Sequence, residues 1–255
     1  MTQSKNLIAL VTGASRGLGK SMALHLAARG VGVILTYRSG EAEAIAVASE
    51  IEKRGQRAVA LQLDVGAAET FSAFATRVRS ELGRVWKRDT FDFLVNNAGI
   101  GVHAAFAETT EAQFDELMRV HLKGPFFLTQ NLLPLLADGG RILNVSTGLS
   151  RFTLPGFSAY AAMKGAIEVL TRYQAKELGA RGIGVNTLAP GAIETDFGGG
   201  AVRDNPALNQ MVASMTALGR VGLPDDIGAA VAVLLSADSK WINGQRIEAS
   251  GGQGL

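Results

Sequence analysis

With 255 residues, 47% apolar content and a net charge of only +2, the chain has the make-up of a folded domain with a large core. It contains no cysteine, which excludes disulfides, thiolate catalysis and cysteine-bound zinc, and its three histidines lack an HExxH spacing, so no metal is expected. Basic residues are interspersed with acids and the longest basic run is Lys87-Arg88, which argues against nucleic-acid or anionic-membrane binding.

In chain order, residues 1–5 are polar and lead straight into a strand-like run, so no signal peptide is expected. The longest apolar stretch, 227–235, is far below the roughly 20 residues that cross a bilayer, and a soluble cytoplasmic protein is the expectation. Strand-like runs at 7–12, 31–36, 58–63, 91–95, 141–145, 184–188 and 245–248 alternate with helical spacing at 20–29, 42–54, 69–82, 111–136 and 158–178. Several runs are almost continuously apolar, as strands covered on both faces are. The alternation predicts right-handed crossovers and an α/β fold: a single-domain, doubly wound parallel sheet of about seven strands with helices on both faces. No compositional break divides residues 1–255.

Two connections are longer than usual. Residues 84–90 are polar with a lone Trp86 and read as a surface excursion. Residues 192–223 hold Gly198-Gly199-Gly200 and a short helical pattern at 207–215, and read either as a lid or as a plain surface insertion.

The first strand runs into Thr12-Gly13-Ala14-Ser15-Arg16-Gly17-Leu18-Gly19, after which helical composition begins. A pyrophosphate approaching the N–H groups that open a helix needs small residues at such a turn. The first two glycines are four apart rather than two, so the turn departs from the common dinucleotide fingerprint, and a turn without a ligand is the alternative. About twenty residues on, where NAD sites place an acid against the ribose 2′-hydroxyl, stand Tyr37-Arg38-Ser39, with no carboxylate before Glu41. Arg38 and Arg16 offer planar guanidinium donors to a 2′-phosphate, so NADP(H) is expected over NAD(H).

Tyr160 and Lys164 stand four apart at the start of a predicted helix, on one face. A neighbouring cation favours the phenolate, which suits Tyr160 to act as general acid towards an alkoxide and as base in reverse.

Thr12–Gly19, Asp64-Val65, Asn96-Asn97-Ala98-Gly99, Tyr160 with Lys164, and Pro190-Gly191 occur in that order. In this combination the chain resembles the short-chain dehydrogenase/reductase family over essentially its whole length. The resemblance implies a seven-stranded Rossmann-like sheet, NADP(H)-dependent reduction of a small carbonyl compound or oxidation of an alcohol, and commonly a homotetramer. It implies that Gly13, Gly17 and Gly19 line the pyrophosphate, with Leu18 in the same turn and Ser15 and Arg16 beside the adenosine phosphate. Asp64 and Val65 would contact adenine, and Asn97, Ala98 and Gly99 would border the adenine-side ribose. Pro190, Gly191, Ile193 and Thr195 would seat the nicotinamide. Tyr160 and Lys164 would be catalytic, Lys164 also holding the nicotinamide ribose, and 192–223 would be the substrate loop. The helices containing His121 and Tyr160 and the last strand would be the contacts between subunits.

Two positions depart from the family pattern. Where the family usually has a serine 13 residues before the tyrosine, the chain has Thr147, preceded by Ser146. Threonine keeps a donating and accepting hydroxyl, and Thr147 is preferred because Ser146 should face the other way along the strand. Where an asparagine is usual stands His121, read either as a proton-relay residue, chargeable near neutral pH, or as a packed helix histidine. His103 reads as a border of the substrate pocket or a loop residue, and His25 as a helix-surface or partly packed residue. Two rivals to a general carbonyl reductase are a 3-oxoacyl-thioester reductase, with Arg119 and Lys123 as rim cations, and a non-catalytic NADP-binding sensor or scaffold.

Overall fold

The computed structural model describes residues 7–255; the polar segment 1–5 lies outside the described residues. Seven strands form one sheet: β1 (Ile8–Val11), β2 (Gly32–Tyr37), β3 (Ala58–Gln62), β4 (Phe91–Asn96), β5 (Leu136–Val145), β6 (Gly184–Pro190) and β7 (Arg246–Ala249). Their order is β3-β2-β1-β4-β5-β6-β7, and every pair is parallel. The winding reverses between β1 and β4, which opens a crevice at the carboxyl ends of these central strands, the place where such sheets bind ligands.

The central strands are mostly apolar because both of their faces are covered. In β1, Ala9 and Val11 enter one core cluster, while Ile8 and Leu10 enter the other. The first cluster is closed by α1 (Gly17–Ala28), α2 (Glu41–Lys53) and α9 (Pro224–Leu234). The second is closed by α3 (Phe71–Glu81), α5 (Gly124–Leu132) and the later turns of α6 (Ser158–Glu177). Two short helices, α7 (Ala201–Asp204) and α8 (Pro206–Ser214), lie in the long connection before α9. Among the described residues no helix is long and apolar enough to cross a membrane.

The predicted helix over 111–136 is broken. It consists of α4 (Glu111–Met118), a π-helical turn at Arg119–Lys123 and α5, and β5 already begins at Leu136. Pro125 has no N–H with which to continue the ladder, so the helix widens just before it. Gly124 is required there, because a Cβ would collide with the Val65 carbonyl oxygen.

The surface excursion at 84–90 is also corrected. Leu82–Trp86 extends α3 as a π-helical turn, and Trp86 is only 5% exposed within the second core cluster. Its indole lies under β2, with Nε1 occupying the space that a Cβ on Gly32 would need. Gly32→Ala is therefore expected to cost about 1–3 kcal/mol through overpacking. Urea unfolding measures this, and an unchanged midpoint would contradict the packing.

Candidate active site

Thr12, at the end of β1, is buried and ties the glycine turn to β4. Its hydroxyl accepts from the N–H groups of Asn97 (2.9 Å) and Ala98 (3.0 Å), while the Asn97 amide donates to the Thr12 carbonyl at 2.8 Å. Gly13 and Gly17 hold φ of 63° and 55°, and a Cβ on Gly19 would collide with the Gly13 carbonyl oxygen. Space at Gly13 and Gly19 and backbone conformation at Gly13 and Gly17 thus favour glycine at these three positions of the turn. The α1 N-terminus behind it has no acidic residue in its first turn, so its positive end is left for an anion.

The remaining groups of the expected nucleotide site surround the crevice. Arg16 is exposed beside the turn, its Nε 3.9 Å from Asp196, and Ser15 is half-buried. Leu18 packs on the first core cluster. At the end of β2, Arg38 and Ser39 are exposed, and among the described residues Arg38 has no ion-pair partner. Tyr37 differs from its neighbours: its ring is in the core and its hydroxyl donates to Glu41 at 2.8 Å. That contact also occupies the first carboxylate after β2. Asp64 accepts from the Gly66 N–H at 2.7 Å, and Val65 is half-buried. Gly99 faces the His121 ring. Pro190 ends β6, and a Cβ on Gly191 would meet Ser250 at 2.9 Å. Ile193 packs on the first cluster and bridges Gly222, and the Thr195 side chain lies 3.7 Å from a Cβ placed on Gly17. The 190–195 segment thus forms the far wall of a groove whose near wall is the glycine turn.

Tyr160 lies in the first turn of α6 and Lys164 one turn later; they are 7% and 5% exposed. Lys164 Nζ donates to the Val145 carbonyl at 2.7 Å and stands 5.7 Å from the centroid of the Tyr160 ring. Thr147, just beyond the end of β5, lies beside the Tyr160 phenol, and its hydroxyl accepts from the Leu149 N–H at 3.3 Å. Ser146 points the other way, as alternation along an extended chain requires, and bonds Glu168 at 2.7 Å.

Burial pushes the Tyr160 phenol well above its ordinary value, and the neighbouring Thr147 hydroxyl only partly opposes this. Burial pushes Lys164 down to about 7. The dry pocket thus favours the neutral phenol and brings the amine down towards neutrality.

His121 sits in the π-helical turn, 1% exposed, edge-on to the Tyr160 ring at 5.2 Å. Its Nε2 is 2.8 Å from the Ile100 carbonyl oxygen and 3.3 Å from the Ile100 nitrogen, so it donates to the first in one tautomer and accepts from the second in the other. Nδ1 is buried without a partner among the described residues. Burial, and then the charge of Lys164, push the imidazole down to about 3, which favours its neutral form. His103 is exposed and edge-on to Phe157 at 5.0 Å, and His25 lies 3.4 Å from Asp225 on the helix surface.

Several residues here carry no signal in the motifs. Glu168, one turn after Lys164, accepts from Ser146, Ser150 (2.6 Å) and Arg246 (2.8 Å). Arg246 on β7 also donates to the Thr147 carbonyl at 3.1 Å and to Glu248 at 2.7 Å. Gln253, 4% exposed, accepts from the Ala192 N–H at 2.8 Å, and so ties the chain end to the groove wall. Phe197 lies 5.9 Å from Tyr160 between ring centroids. A lone arginine inside the last strand and an aromatic residue beside three glycines are the only traces of these roles in the sequence.

The family described as enoyl-(acyl carrier protein) reductase matches residues 13–253. The chain belongs to the short-chain dehydrogenase/reductase family. It is an oxidoreductase of the CH–OH/C=O pair. Hydroxynaphthalene reductase-like protein Arp2 of Metarhizium brunneum is 36% identical over 256 residues, spanning 96% of this chain and 94% of its own. Tetrahydroxynaphthalene reductase PfmaG of Pestalotiopsis fici is 34% identical over 256 residues, spanning 96% and 90%. The angucycline C-6 ketoreductase LanV, solved with bound NADP, has a TM-score of 0.92 at 38% identity, with 98% of this chain and 96% of that one covered.

The lowered value of Lys164 makes stability depend on pH. Between about 7 and its ordinary value of 10.5 the unfolded chain binds more protons at this position, so this residue's contribution rises with pH across that window. The Tm of Lys164→Met relative to wild type is therefore expected to be highest below pH 7 and to fall as pH rises towards 10. Thermal unfolding of the nucleotide-free proteins measures it; a pH-independent difference would contradict the buried, neutralised amine.

Proposed function

We propose that this short-chain dehydrogenase/reductase uses NADPH to reduce a ketone to a secondary alcohol, with Tyr160 giving the proton and Thr147 holding the oxygen. The observation that carries this reading is the buried Tyr160–Thr147 contact, with Lys164 one helical turn away, beside a groove walled by glycines. NADPH, when bound, supplies the hydride.

Tyr160 enters the reaction as a donor because burial keeps its proton on at neutral pH. The Thr147 hydroxyl turns towards the same point and orients the carbonyl oxygen between the two hydroxyls. As negative charge develops on that oxygen, the Tyr160 proton moves to it. Lys164, protonated from solvent near pH 7, then stabilises the phenolate and resupplies the proton. His121 packs neutral against the Tyr160 ring, with its Nδ1 buried and unpartnered among the described residues. Overall, a ketone, NADPH and one proton become an alcohol and NADP⁺.

The residues fit a phosphorylated nucleotide. Gly13, Gly17 and Gly19 leave the turn open to the pyrophosphate, and Arg38 and Arg16 stand exposed at its 2′-phosphate end, where the first carboxylate is already bonded to Tyr37. Asp64 and Val65 would lie against adenine, Asn97, Ala98 and Gly99 against its ribose, and Pro190, Gly191, Ile193 and Thr195 against the nicotinamide. LanV, with its bound NADP, supports the choice of cofactor.

The names of the relatives support a ketone on a fused-ring skeleton as substrate. Residues 192–223 act as the lid over it, since Phe197 of this segment reaches the Tyr160 ring. We further read the protein as a cytoplasmic homotetramer. Phe126 and Phe127 on α5 and Val169 and Tyr173 on α6 leave apolar surface for subunit contact.

Following NADPH absorbance with a fused-ring ketone and an acetoacetyl thioester tests the reading. Wild type is expected to turn over the ring ketone, and Tyr160→Phe to lose roughly 10²–10⁴-fold. Thr147→Ala should lose far more than Ser146→Ala, and His121→Phe should lower turnover without weakening NADPH binding. Preference for the thioester would favour a 3-oxoacyl-thioester reductase, and NADPH binding without turnover a sensor. Near-wild-type reduction by Tyr160→Phe would defeat the proposal. Arg38→Ala is expected to weaken NADPH binding by roughly 10–100-fold, in line with a charge-assisted bond, and to leave NADH binding unchanged. Equal effects on both nucleotides would contradict the 2′-phosphate site.

A further inference from the structure

We propose that Phe197 is the residue that selects planar aromatic ketones, as a ring mounted on a three-glycine hinge directly over Tyr160. This rests on the ketone-reductase reading and adds to it what chooses the substrate.

Phe197 lies two residues beyond the groove wall, and its backbone N–H donates to the Thr195 hydroxyl at 3.2 Å. Its ring centroid is 5.9 Å from that of Tyr160, with the planes inclined at 53°. On its other side it closes on Gly101, where a Cβ would come within 3.0 Å of the ring. Gly101 therefore gives the ring room that any other residue would deny. Even so, Phe197 is 46% exposed. A large apolar ring that touches the proton donor and keeps nearly half its surface open has a free face for another ring.

The backbone just after Phe197 is built to let the ring turn. Gly198, Gly199 and Gly200 all have positive φ, at 62°, 74° and 78°. A run of left-handed residues is costly for any side chain but glycine. At Gly198 and Gly199 a Cβ would meet nothing within 4 Å, so glycine stands there for conformation and not for space. The ends of the run are pinned instead. Arg203 pairs with Asp196 at 2.5 Å and with Asp204 at 2.7 Å, which closes residues 196–203 into a short loop. These ion pairs hold the residues on either side of the segment that carries the ring and the glycines.

Further aromatic and aliphatic side chains pack beside Tyr160. Leu149 and Phe157 pack with Tyr160 in one apolar cluster, and the same two residues line a cavity of about 270 Å³ together with Phe106, Leu154 and Ala161. Phe106 is 87% exposed at its rim. A flat ring system entering between these walls and Phe197 gains edge or offset contacts on both sides, which a flexible aliphatic chain does not make. Its carbonyl would then lie under Phe197, at the Tyr160 hydroxyl.

The test is a ratio of kcat/KM values, 1-tetralone over 2-decanone, both with NADPH. Phe197→Leu keeps an apolar side chain without the ring, and is expected to lower the ratio at least tenfold. Phe197→Trp restores a ring and is expected to hold the ratio within threefold of wild type. Unchanged NADPH affinity in both variants shows that the fold and groove are intact. A Phe197→Leu ratio within threefold of wild type would overturn the proposal while leaving the ketone-reductase reading standing. A wild-type protein that reduces neither ketone would remove that reading, and the proposal with it.

Discussion

A phenol and an amine on one helical face, both shut away from water, set the terms for everything else in this protein. Tyr160 and Lys164 lie where the first turns of α6 press against the end of β5. Dry surroundings penalise the charged form of each group, which moves the phenol up and the amine down. The pair is therefore poised as a neutral donor backed by a base that titrates near neutrality. Neither property resides in the residue types alone; both come from burial.

Keeping such groups dry and aligned takes a surrounding scaffold. The buried amine of Lys164 is met by the Val145 carbonyl, and the chain leaving β5 carries Thr147 towards the phenol and Ser146 away from it. Arg246 and Glu168 then lock β7, the end of β5 and the middle of α6 together, so that Thr147 cannot shift without breaking a charge-assisted bond. On the other side, Gln253 holds Ala192 at the groove wall, and His121 fills the space behind the ring. Hydride chemistry needs two partners placed to within a fraction of an ångström. The parallel sheet supplies that by bringing the ends of β1, β4, β5 and β6 to one crevice.

The features legible in the sequence are those set locally. Short β-rich runs with turns between them mark all seven strands, and the central ones, buried on both faces, are almost continuously apolar; only β5 starts earlier than its run suggests. The glycines at 13, 17 and 19 are legible as a turn, since backbone geometry there forbids a Cβ. Less visible are features decided by distant contacts. Pro125 lies inside an otherwise helical pattern and splits it, with the π-helical turn as the accommodation. Trp86 sits among polar residues, yet it packs under Gly32 on a strand far away in sequence. Arg246, Glu168 and Phe197 take their partners from other elements, so no spacing rule could find them. The protonation of Tyr160, Lys164 and His121 escapes the sequence for the same reason: it shows a neighbouring charge, but not the missing water.

The most direct test of this buried pair is an ultraviolet difference titration of the nucleotide-free protein, wild type against Tyr160→Phe, which isolates the phenolate of Tyr160. The expected result is no ionisation of this residue up to about pH 10, the ordinary value for tyrosine. A phenolate signal from Tyr160 between about pH 6 and 9 would contradict a phenol held neutral by burial.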